Sequence, residues 1–282
     1  MNRVIKVETD RYTVDMDGQT VTCYARKKVK RNSDIVVGDF VELENSDGVL
    51  SVKKVLERKN SLIRPSIANI DNIIMTIAPV PEPDFYLVDK MHINCARRNI
   101  GFIICVNKTD LDDTFLNKVQ DQYGADVKII STCAKDNDIS QLTDALKGKF
   151  SCLAGQSAVG KSSIVNALHG EKIAKSGELS AINRGRNTTT RATLYKLDES
   201  TFVADTPGFG LLDVFDVEYD ELDLYYSEYV ELSMSCKYHR CKHINEPGCE
   251  VKKRVEEGSV SKDRYLRYVE TYNELKNKKK KY

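Results

Sequence analysis

Residues 155–162 read Gly155-Gln156-Ser157-Ala158-Val159-Gly160-Lys161-Ser162, and this stretch determines the expected fold class. It follows the apolar run Phe150-Ser-Cys-Leu and opens a helical pattern at Ser163. A glycine-rich loop between a strand and a helix is typical of a phosphate-binding loop, because its backbone wraps a phosphate and the helix N-terminus offers N–H groups. We therefore expect residues 155–163 to contact a nucleotide, with Lys161 on the outer phosphates and Ser162 on Mg²⁺.

A second motif, Asp205-Thr-Pro-Gly208, lies downstream of the loop and follows a β-pattern over residues 201–204. It places the Asp205 carboxylate at a strand end, where it can hold magnesium through water. Paired with the phosphate loop, this spacing is typical of a nucleotide switch. Asp205 and Gly208 are therefore further candidate residues of the nucleotide site.

A third motif, Asn107-Lys108-Thr109-Asp110, ends the strand predicted over residues 100–106. The Asp110 carboxylate can accept both the ring N–H and the exocyclic amino group of guanine, and adenine offers no such pair. The wrong base would leave that carboxylate unpaired, so discrimination should be large. Lys108 is expected to lay its aliphatic stem on the purine.

The segment Ser131-Thr-Cys133-Ala134-Lys135 lies at the end of the next predicted strand. It can offer a backbone N–H to the guanine oxygen, so Ser131, Cys133 and Ala134 join the candidate site. This base-reading pair precedes the phosphate loop, whereas GTPases in general have the reverse order. Circular permutation explains the order, because the natural ends of such a domain lie close together on the surface. The segment after Asp205 then runs directly into the C-terminal region.

The rest of the chain predicts three domains, with limits at 1–65, 66–215 and 216–282. Short alternating runs separated by Gly and Asp turns favour an N-terminal five-stranded β-barrel of the oligonucleotide-binding type. Apolar strands alternating with helical patterns favour a central α/β domain with a parallel sheet. A helical C-terminal region ends in a helix near residues 262–275. The basic loop 26–31 is either a contact to a phosphate backbone or a solvated hairpin loop.

The C-terminal region contains Cys236-x4-Cys241-x-His243-x5-Cys249. Three thiolates and one imidazole suit a closed, tetrahedral, structural zinc site with no position open for catalysis. His239 is expected to be an exposed neighbour. The other five cysteines are scattered through predicted strands and helices, as reduced cysteines used as small hydrophobic residues are.

The composition predicts where the protein is located in the cell and shows how its charges are distributed. No apolar run approaches the length of a membrane span and the N-terminus has no signal-peptide core, so a cytoplasmic protein is expected. The chain has 43 basic and 42 acidic residues. Its last 32 residues are basic and end in the run 278–281, which is either an RNA contact or a solvated tail.

These features together, with Glu246-Pro-Gly-Cys249 inside the zinc segment and an amino-terminal barrel, closely resemble the RsgA family of bacteria. Arg64-Pro, the segment 68–71 and Gly155-Gln-Ser are also similar to that family. Its members are circularly permuted GTPases of small ribosomal subunit biogenesis. The resemblance covers nearly the whole chain and implies three domains that clamp onto the decoding region during late maturation. The implied partners are the 30S subunit, its 16S rRNA and GTP or GDP.

One departure from the family bears on mechanism. The family's first switch reads Gly-x-His-Thr-Thr-Thr, and here it reads Gly185-Arg-Asn187-Thr-Thr189-Thr190. Asn187 cannot exchange a proton near neutral pH, although it can orient a water molecule. Phe209 occupies the place where many GTPases have a water-orienting glutamine. Arg184, Arg186 and Arg191 either stabilise transition-state charge or are solvated side chains.

The leading hypothesis is a monomeric, Mg²⁺-dependent GTPase in which Lys161, Ser162, Thr189, Thr190 and Asp205 act at the phosphates. Thr189 or Thr190 would sense the γ-phosphate, with Thr190 as a magnesium ligand. Slow hydrolysis, stimulated by the ribosome, is expected from the missing histidine and glutamine. One alternative is an RNA-binding assembly module with GTP as a non-hydrolysed ligand. A P-loop enzyme that uses ATP is disfavoured by Asn107 and Asp110.

Overall fold

The structure is a computed structural model that describes residues 1–16, 18–25, 29, 34–46, 48–63, 66–176, 193–205 and 217–279. Among these residues, no helix combines the length and the apolar character that a membrane span requires. The predicted switch residues Asn187, Thr189, Thr190 and Gly208 lie outside the described residues, as do the basic loop residues 26–28, 30 and 31.

The N-terminal strands form the expected barrel. They are β1 (Arg3–Val7), β2 (Tyr12–Met16), β3 (Gln19–Ala25), β4 (Val41–Ser46) and β5 (Val49–Val55), in the order β1-β2-β3-β5-β4. The chain before β4 returns to β1, since the Val4 N–H donates to the Asp39 carbonyl at 2.8 Å and the Val41 N–H to the Asn2 carbonyl at 3.0 Å. These bonds close the sheet, as an oligonucleotide-binding barrel requires. Gly18 and Gly48 have positive φ at the predicted turns.

The central region forms one six-stranded sheet, preceded by the short pair β6 (Ser61–Leu62) and β7 (Ile67–Ala68). Its strands are β8 (Asn72–Ile77), β9 (Gly101–Val106), β10 (Lys128–Ser131), β11 (Phe150–Ala154), β12 (Thr193–Lys196) and β13 (Phe202–Asp205). The spatial order is β10-β9-β8-β11-β13-β12, and β12 alone of these strands runs antiparallel to its neighbour. From β8 the chain continues to β9 and β10 on one side of the sheet, and after β11 it continues to β13 and β12 on the other side. The boundary between β8 and β11 is a topological switch point, where ligands bind in sheets of this kind.

In the described part of the chain, four helices cover the two faces of this sheet: α1 (Phe85–Arg97), α2 (Phe115–Tyr123), α3 (Ser140–Leu146) and α4 (Lys161–Ser176). α1 and α2 pack on one face, which includes Ile73 and Met75, and α3 and α4 pack on the other, which includes Ile74. Successive residues of β8 thus face opposite cores, so the strand is buried along its whole length. The prediction of a central α/β domain is confirmed.

Element ends differ slightly from the predicted ones, for local reasons. The Asp84 carboxylate accepts the N–H groups of Tyr86 and Leu87, so Asp84 is the N-cap of α1. The N–H groups of Ile100 and Val127 donate to carbonyls of the preceding helices, at Cys95 and Tyr123. Both residues therefore close a helix end, and each strand begins one residue later.

The C-terminal region contains a 3₁₀ helix (Tyr219–Tyr225), α5 (Ser227–Ser233), α6 (Glu250–Glu256) and α7 (Lys262–Lys279). Its core is aromatic: the buried rings of Tyr226 and Tyr229 stack at 5.0 Å, and both meet Tyr268 edge-on. α7 extends a turn beyond its predicted end, and Lys278 pairs with Glu274. Residues 280–282 lie outside the described part of the chain.

An ion-pair cluster holds α7 against the central domain. Arg264, whose side chain is 1% exposed, contacts Asp126 beside α2 and Glu228 of α5, and Arg267 bonds to Asp89 of α1. Burial acts to lower the pKa of the Arg264 guanidinium, but the carboxylates of Asp89 and Asp126 outweigh it and raise the pKa. The two regions therefore share a buried polar junction. The domain limits after 65 and after 215 stay predictions, since both fall at undescribed residues.

Candidate nucleotide and metal sites

The phosphate loop joins β11 to α4 in a conformation that needs glycine. Gly155 has φ 138° and Gly160 has φ 101°. A Cβ atom on Gly155 would lie 2.2 Å from the Thr76 carbonyl oxygen of β8. Ala158 also has positive φ, at 66°, which is uncommon for a residue with a side chain. The backbone is therefore held in a loop shape that residues with side chains rarely adopt.

Lys161 points back into this loop. Its Nζ donates to the carbonyl oxygens of Gly155 and Gln156, both at 2.8 Å. Burial lowers the pKa of the Lys161 ammonium, and the Asp205 carboxylate partly opposes that shift. Ser162 and Ser163 are exposed at the first turn of α4. The N-terminus of this long helix, with a lysine at the loop, fits a polyphosphate anion.

Asn107 connects the base-reading motif to the phosphate loop. Its Nδ2 donates to the Val159 carbonyl at 3.0 Å, and its Oδ1 accepts from Thr132 Oγ1 at 3.1 Å and from the Ala134 N–H at 3.2 Å. The residue is 2% exposed. The segment 131–135 was predicted to offer a backbone N–H to the guanine oxygen, and that role stays a prediction. The Ala134 N–H already donates to Asn107.

Lys108 makes a second connection to the phosphate loop. Its Nζ donates to the carbonyls of Val80 and Ala158, both at 2.8 Å. Its backbone has φ 58°. The ammonium group is therefore fixed beside the loop, and the contact of the aliphatic stem with the purine stays a prediction.

Asp110 carries the carboxylate predicted to read guanine. Its side chain is 27% exposed, and Lys135 lies 3.8 Å away. The Cys133 thiol lies 3.3 Å from its Oδ1. Thr109 is tied to the next strand end, since its Oγ1 donates to the Thr132 carbonyl at 3.3 Å. The structure thus brings the segments 107–110 and 131–135 together at the same end of the sheet as the phosphate loop.

Asp205 ends β13 opposite Leu153 of β11, so it lies next to the strand that carries the phosphate loop. Its negative charge opposes the effect of burial, which lowers the pKa of the Lys161 ammonium. Asn187, Thr189, Thr190 and Gly208 fall outside the described residues, and their roles stay predictions.

Three further residues of the site were not predicted from the sequence. Val80 supplies a carbonyl to Lys108, Thr132 supplies a hydroxyl to Asn107, and the Asp84 N–H donates to Gln156 Oε1 at 3.2 Å. Thr132 belongs to the predicted base-reading segment 131–135, so a hydrogen-bonding role of its hydroxyl could have been predicted. The other two contacts depend on how loop 78–84 folds back, for which the sequence carries no local signal.

The cysteine and histidine cluster forms a compact ligand set. The ligand atoms of Cys236, Cys241, His243 and Cys249 all lie within 4.8 Å of one another. His243 Nδ1 lies 3.3 Å from Cys249 Sγ and 3.8 Å from Cys236 Sγ. Ligands at zinc–sulfur distances stand about 3.8 Å apart in a tetrahedron. The donor set therefore fits a metal ion, and His239 is exposed as expected.

The loop around this cluster is held by two side chains that bond to its backbone. The Glu246 carboxylate accepts the N–H groups of Lys242, Ile244 and Asn245 at 2.9 to 3.0 Å. The Tyr265 hydroxyl donates to the His243 carbonyl at 2.7 Å. Burial lowers the pKa of the His243 imidazole, which keeps it neutral and able to bind a metal.

The chain is similar to proteins that all belong to one family. The family described as RsgA GTPase matches residues 55–215. Two relatives named small ribosomal subunit biogenesis GTPase RsgA come from Ruminiclostridium cellulolyticum and Thermotoga maritima. The first is 38% identical over 90% of this chain and 86% of its own length, and the second is 37% identical over 99% and 97%.

Two solved structures share the whole architecture. YjeQ from Thermotoga maritima has a TM-score of 0.79 and 34% identity, and the match covers 97% of each chain. YloQ, titled a circularly permuted GTPase, has a TM-score of 0.77 and 30% identity over 98% of this chain and 95% of its own. The permuted order read from the motifs is therefore found in a solved relative.

Proposed function

This chain belongs to the RsgA GTPase family, and on that premise we propose how its own residues serve GTP hydrolysis in the biogenesis of the small ribosomal subunit. The observation that carries the proposal is the position of Asn107, whose amide joins the base-reading motif to the phosphate loop. A guanine and a triphosphate bound at these two motifs occupy one continuous site. We propose that the reaction yields GDP and phosphate during late maturation of the 30S subunit.

We propose that GTP lies along the loop 155–163, with guanine at Asp110 and the Lys108 stem on the purine. Nucleotide binding draws Lys161 from the carbonyls of Gly155 and Gln156 to the outer phosphates, where its charge has a stronger partner. Ser162 and Asp205, with Thr190, would hold Mg²⁺, which neutralises phosphate charge when bound. Thr189 or Thr190 would sense the γ-phosphate.

Hydrolysis in this chain is proposed to be slow alone and stimulated by the subunit. Asn187 replaces the family's histidine, and Phe209 follows the Asp-Thr-Pro-Gly turn, so neither position supplies a group that exchanges a proton near neutral pH. Asn187 still orients water by hydrogen bonding. A contact from the ribosome would complete the site.

The experiment measures GTP hydrolysis with and without purified small ribosomal subunits, with ATP as the control nucleotide. Strong stimulation restricted to GTP, lost in Lys161→Ala, supports the proposal. Tight GTP binding without turnover in either condition would contradict it and favour an RNA-binding module with GTP as a fixed ligand. Equal use of ATP would overturn the guanine assignment.

The remaining assignments concern the metal, the RNA and the assembly state. We propose one structural Zn²⁺ at Cys236, Cys241, His243 and Cys249, because three thiols and an imidazole close a tetrahedron without an open position. The barrel and the basic C-terminal segment are proposed to contact 16S rRNA. The chain is proposed to act as a monomer in the cytoplasm, where the subunit assembles.

A further inference from the structure

The side chain of Gln156 bonds the phosphate loop to the start of α1. Its Oε1 accepts the backbone N–H of Asp84 at 3.2 Å. Asp84 is the N-cap of this helix, because its carboxylate accepts the N–H groups of Tyr86 and Leu87 at 3.0 and 3.1 Å. One residue therefore contacts the phosphate loop through its N–H and fixes the first turn of α1 through its carboxylate.

The first turn of α1 also contacts α7 in the C-terminal region. The Tyr86 hydroxyl donates to Glu274 Oε2 at 2.7 Å, and the Lys90 ammonium lies 3.2 Å from the same oxygen. Lys90 also lies over the Tyr86 ring, with its Nζ 4.3 Å from the ring centroid. The Lys90 and Glu274 side chains are 12% and 34% exposed, so solvent screens these contacts only in part. Two neighbouring turns of α1 thus hold one carboxylate of α7.

A second bond ties the segment that precedes α1 to the phosphate loop. The Lys108 ammonium donates to two carbonyls, one of Val80 at the start of this segment and one of Ala158 in the loop, both at 2.8 Å. Because Gln156 holds Asp84 at the end of the segment, the segment is attached to the loop at both ends. A ligand that fixes the phosphate loop therefore restrains the start of α1 as well.

We propose that Gln156 is a positioning residue that acts through Asp84 and couples nucleotide binding to the docking of α7. It holds the first turn of α1 where Tyr86 reaches Glu274, and these four residues form the α1 relay. The inference rests on the proposed nucleotide site, and the relay does not use the chain that follows Asp205. Because coupling between two sites is reciprocal, GDP should tighten the contact between α1 and α7, and this contact should tighten GDP binding by the same factor.

The test uses the full chain and measures the dissociation constant of GDP by titration calorimetry and the hydrogen exchange of α7 with and without saturating GDP. In the wild type, GDP should slow exchange in the part of α7 around Glu274. Tyr86→Phe removes the donor to that carboxylate. It should weaken GDP binding about threefold, a part of what a hydrogen bond to a charged group contributes, and should abolish the effect of GDP on α7. Asn273→Ala, at an exposed position of the same helix, is the matched control and should leave both quantities unchanged.

A double-mutant cycle separates the α1 relay from a general loss of packing. Gln156→Met keeps a long side chain but removes the acceptor for the Asp84 N–H. It should also weaken GDP binding, and adding Tyr86→Phe to it should cause no further loss, because the relay is already broken. If Tyr86→Phe does not fold, Glu274→Ala takes its place in the cycle, with the same expected losses.

Additive losses in the cycle would overturn the inference. A wild-type chain that binds GDP without any change in the exchange of α7 would overturn only the α1 relay. A wild-type chain that does not bind GDP would overturn the proposed nucleotide site itself, and the relay with it.

Discussion

The Lys196 ammonium of β12 lies 2.8 Å from the Asp15 carboxylate of β2, so the edge strand of the central sheet is ion-paired to the barrel. Along β12, Lys196 lies opposite Phe202, and Thr193 lies opposite Asp205. The barrel is therefore attached at the end of β12 and β13 remote from Asp205. A change that shifts β12 along its length would act on the barrel through this pair.

We expect Lys196→Ala to lower the free energy of unfolding by about 1 to 3 kcal/mol, because it removes the ammonium group that pairs with the mostly buried Asp15 carboxylate. Lys53→Ala is the control, since Lys53 pairs with Glu42 at 3.8 Å on the open surface. That change should cost less than about 1 kcal/mol. Urea unfolding of both variants checks the difference. Equal losses in the free energy of unfolding would show that the Lys196–Asp15 pair stabilises the protein no more than a surface ion pair does.

The nucleotide-binding motifs could be located from the sequence because each is a short, contiguous pattern. The chemistry of each motif requires particular residue types at particular positions within it. The phosphate loop needs Gly155 and Gly160 where φ is positive, and the structure has both. Continuous burial over β8 follows from a sheet covered on two faces. The permuted order could also be read from the sequence, because the base-reading motif precedes the phosphate loop, and the solved relative YloQ is a circularly permuted GTPase.

Contacts between distant parts of the chain could not be predicted in this way. The Arg3 guanidinium of β1 lies 4.8 to 5.1 Å from the ring centroids of Phe40, Phe150 and Phe202. Nothing in the sequence near Arg3 indicates that two of these rings come from the central sheet. Arg264 likewise meets carboxylates far away in the chain. Such pairings depend on how folded units dock, which periodicity and spacing do not encode.

Gly160→Ala should abolish tight GTP binding. The added Cβ would lie 2.3 Å from Asn107 Nδ2, at a backbone φ of 101° that side chains rarely adopt. The change thus pushes on the amide that joins the base-reading motif to the phosphate loop. Gly170→Ala in α4 is the control, because a Cβ added there would meet no atom within 4 Å.

That control should bind GTP normally and gain up to about 1 kcal/mol of stability, since alanine favours a helix interior. Fluorescent-nucleotide titration and urea unfolding measure the two effects. Unimpaired GTP binding in Gly160→Ala would refute the proposed link through Asn107.

Metal removal should unfold the C-terminal region selectively. Cys249→Ser removes one thiolate of the proposed zinc set, whose ligands span residues 236–249, a segment without a helix or strand. We expect the purified variant to contain less than one zinc per chain, by metal analysis, and to lose C-terminal protection in hydrogen exchange. Cys23→Ala in the barrel core should keep its zinc. Full zinc content in Cys249→Ser would contradict the ligand assignment.

Acidification should weaken the junction between α7 and the central domain through His92. Its side chain is 10% exposed, and the charged groups near it are Arg264 of α7 and Asp126 beside α2, with Tyr226 at its edge. Burial first, and then Arg264, lower the pKa of His92 to about 4, against an ordinary 6.5. Between these values the unfolded chain binds a proton that the folded chain does not, so stability falls as pH decreases through this window.

We expect this histidine to remove about 2 kcal/mol of unfolding free energy between about pH 7 and about pH 5. His92→Gln lacks the titration, and other groups of the junction contribute equally to both proteins. The difference between the two urea unfolding series therefore isolates His92. Parallel pH dependence in wild type and His92→Gln would show that the histidine takes up its proton in the folded junction at the same pH as in the unfolded chain. In that case Arg264, whose Nη2 lies 3.4 Å from His92 Nδ1, would not suppress its charge.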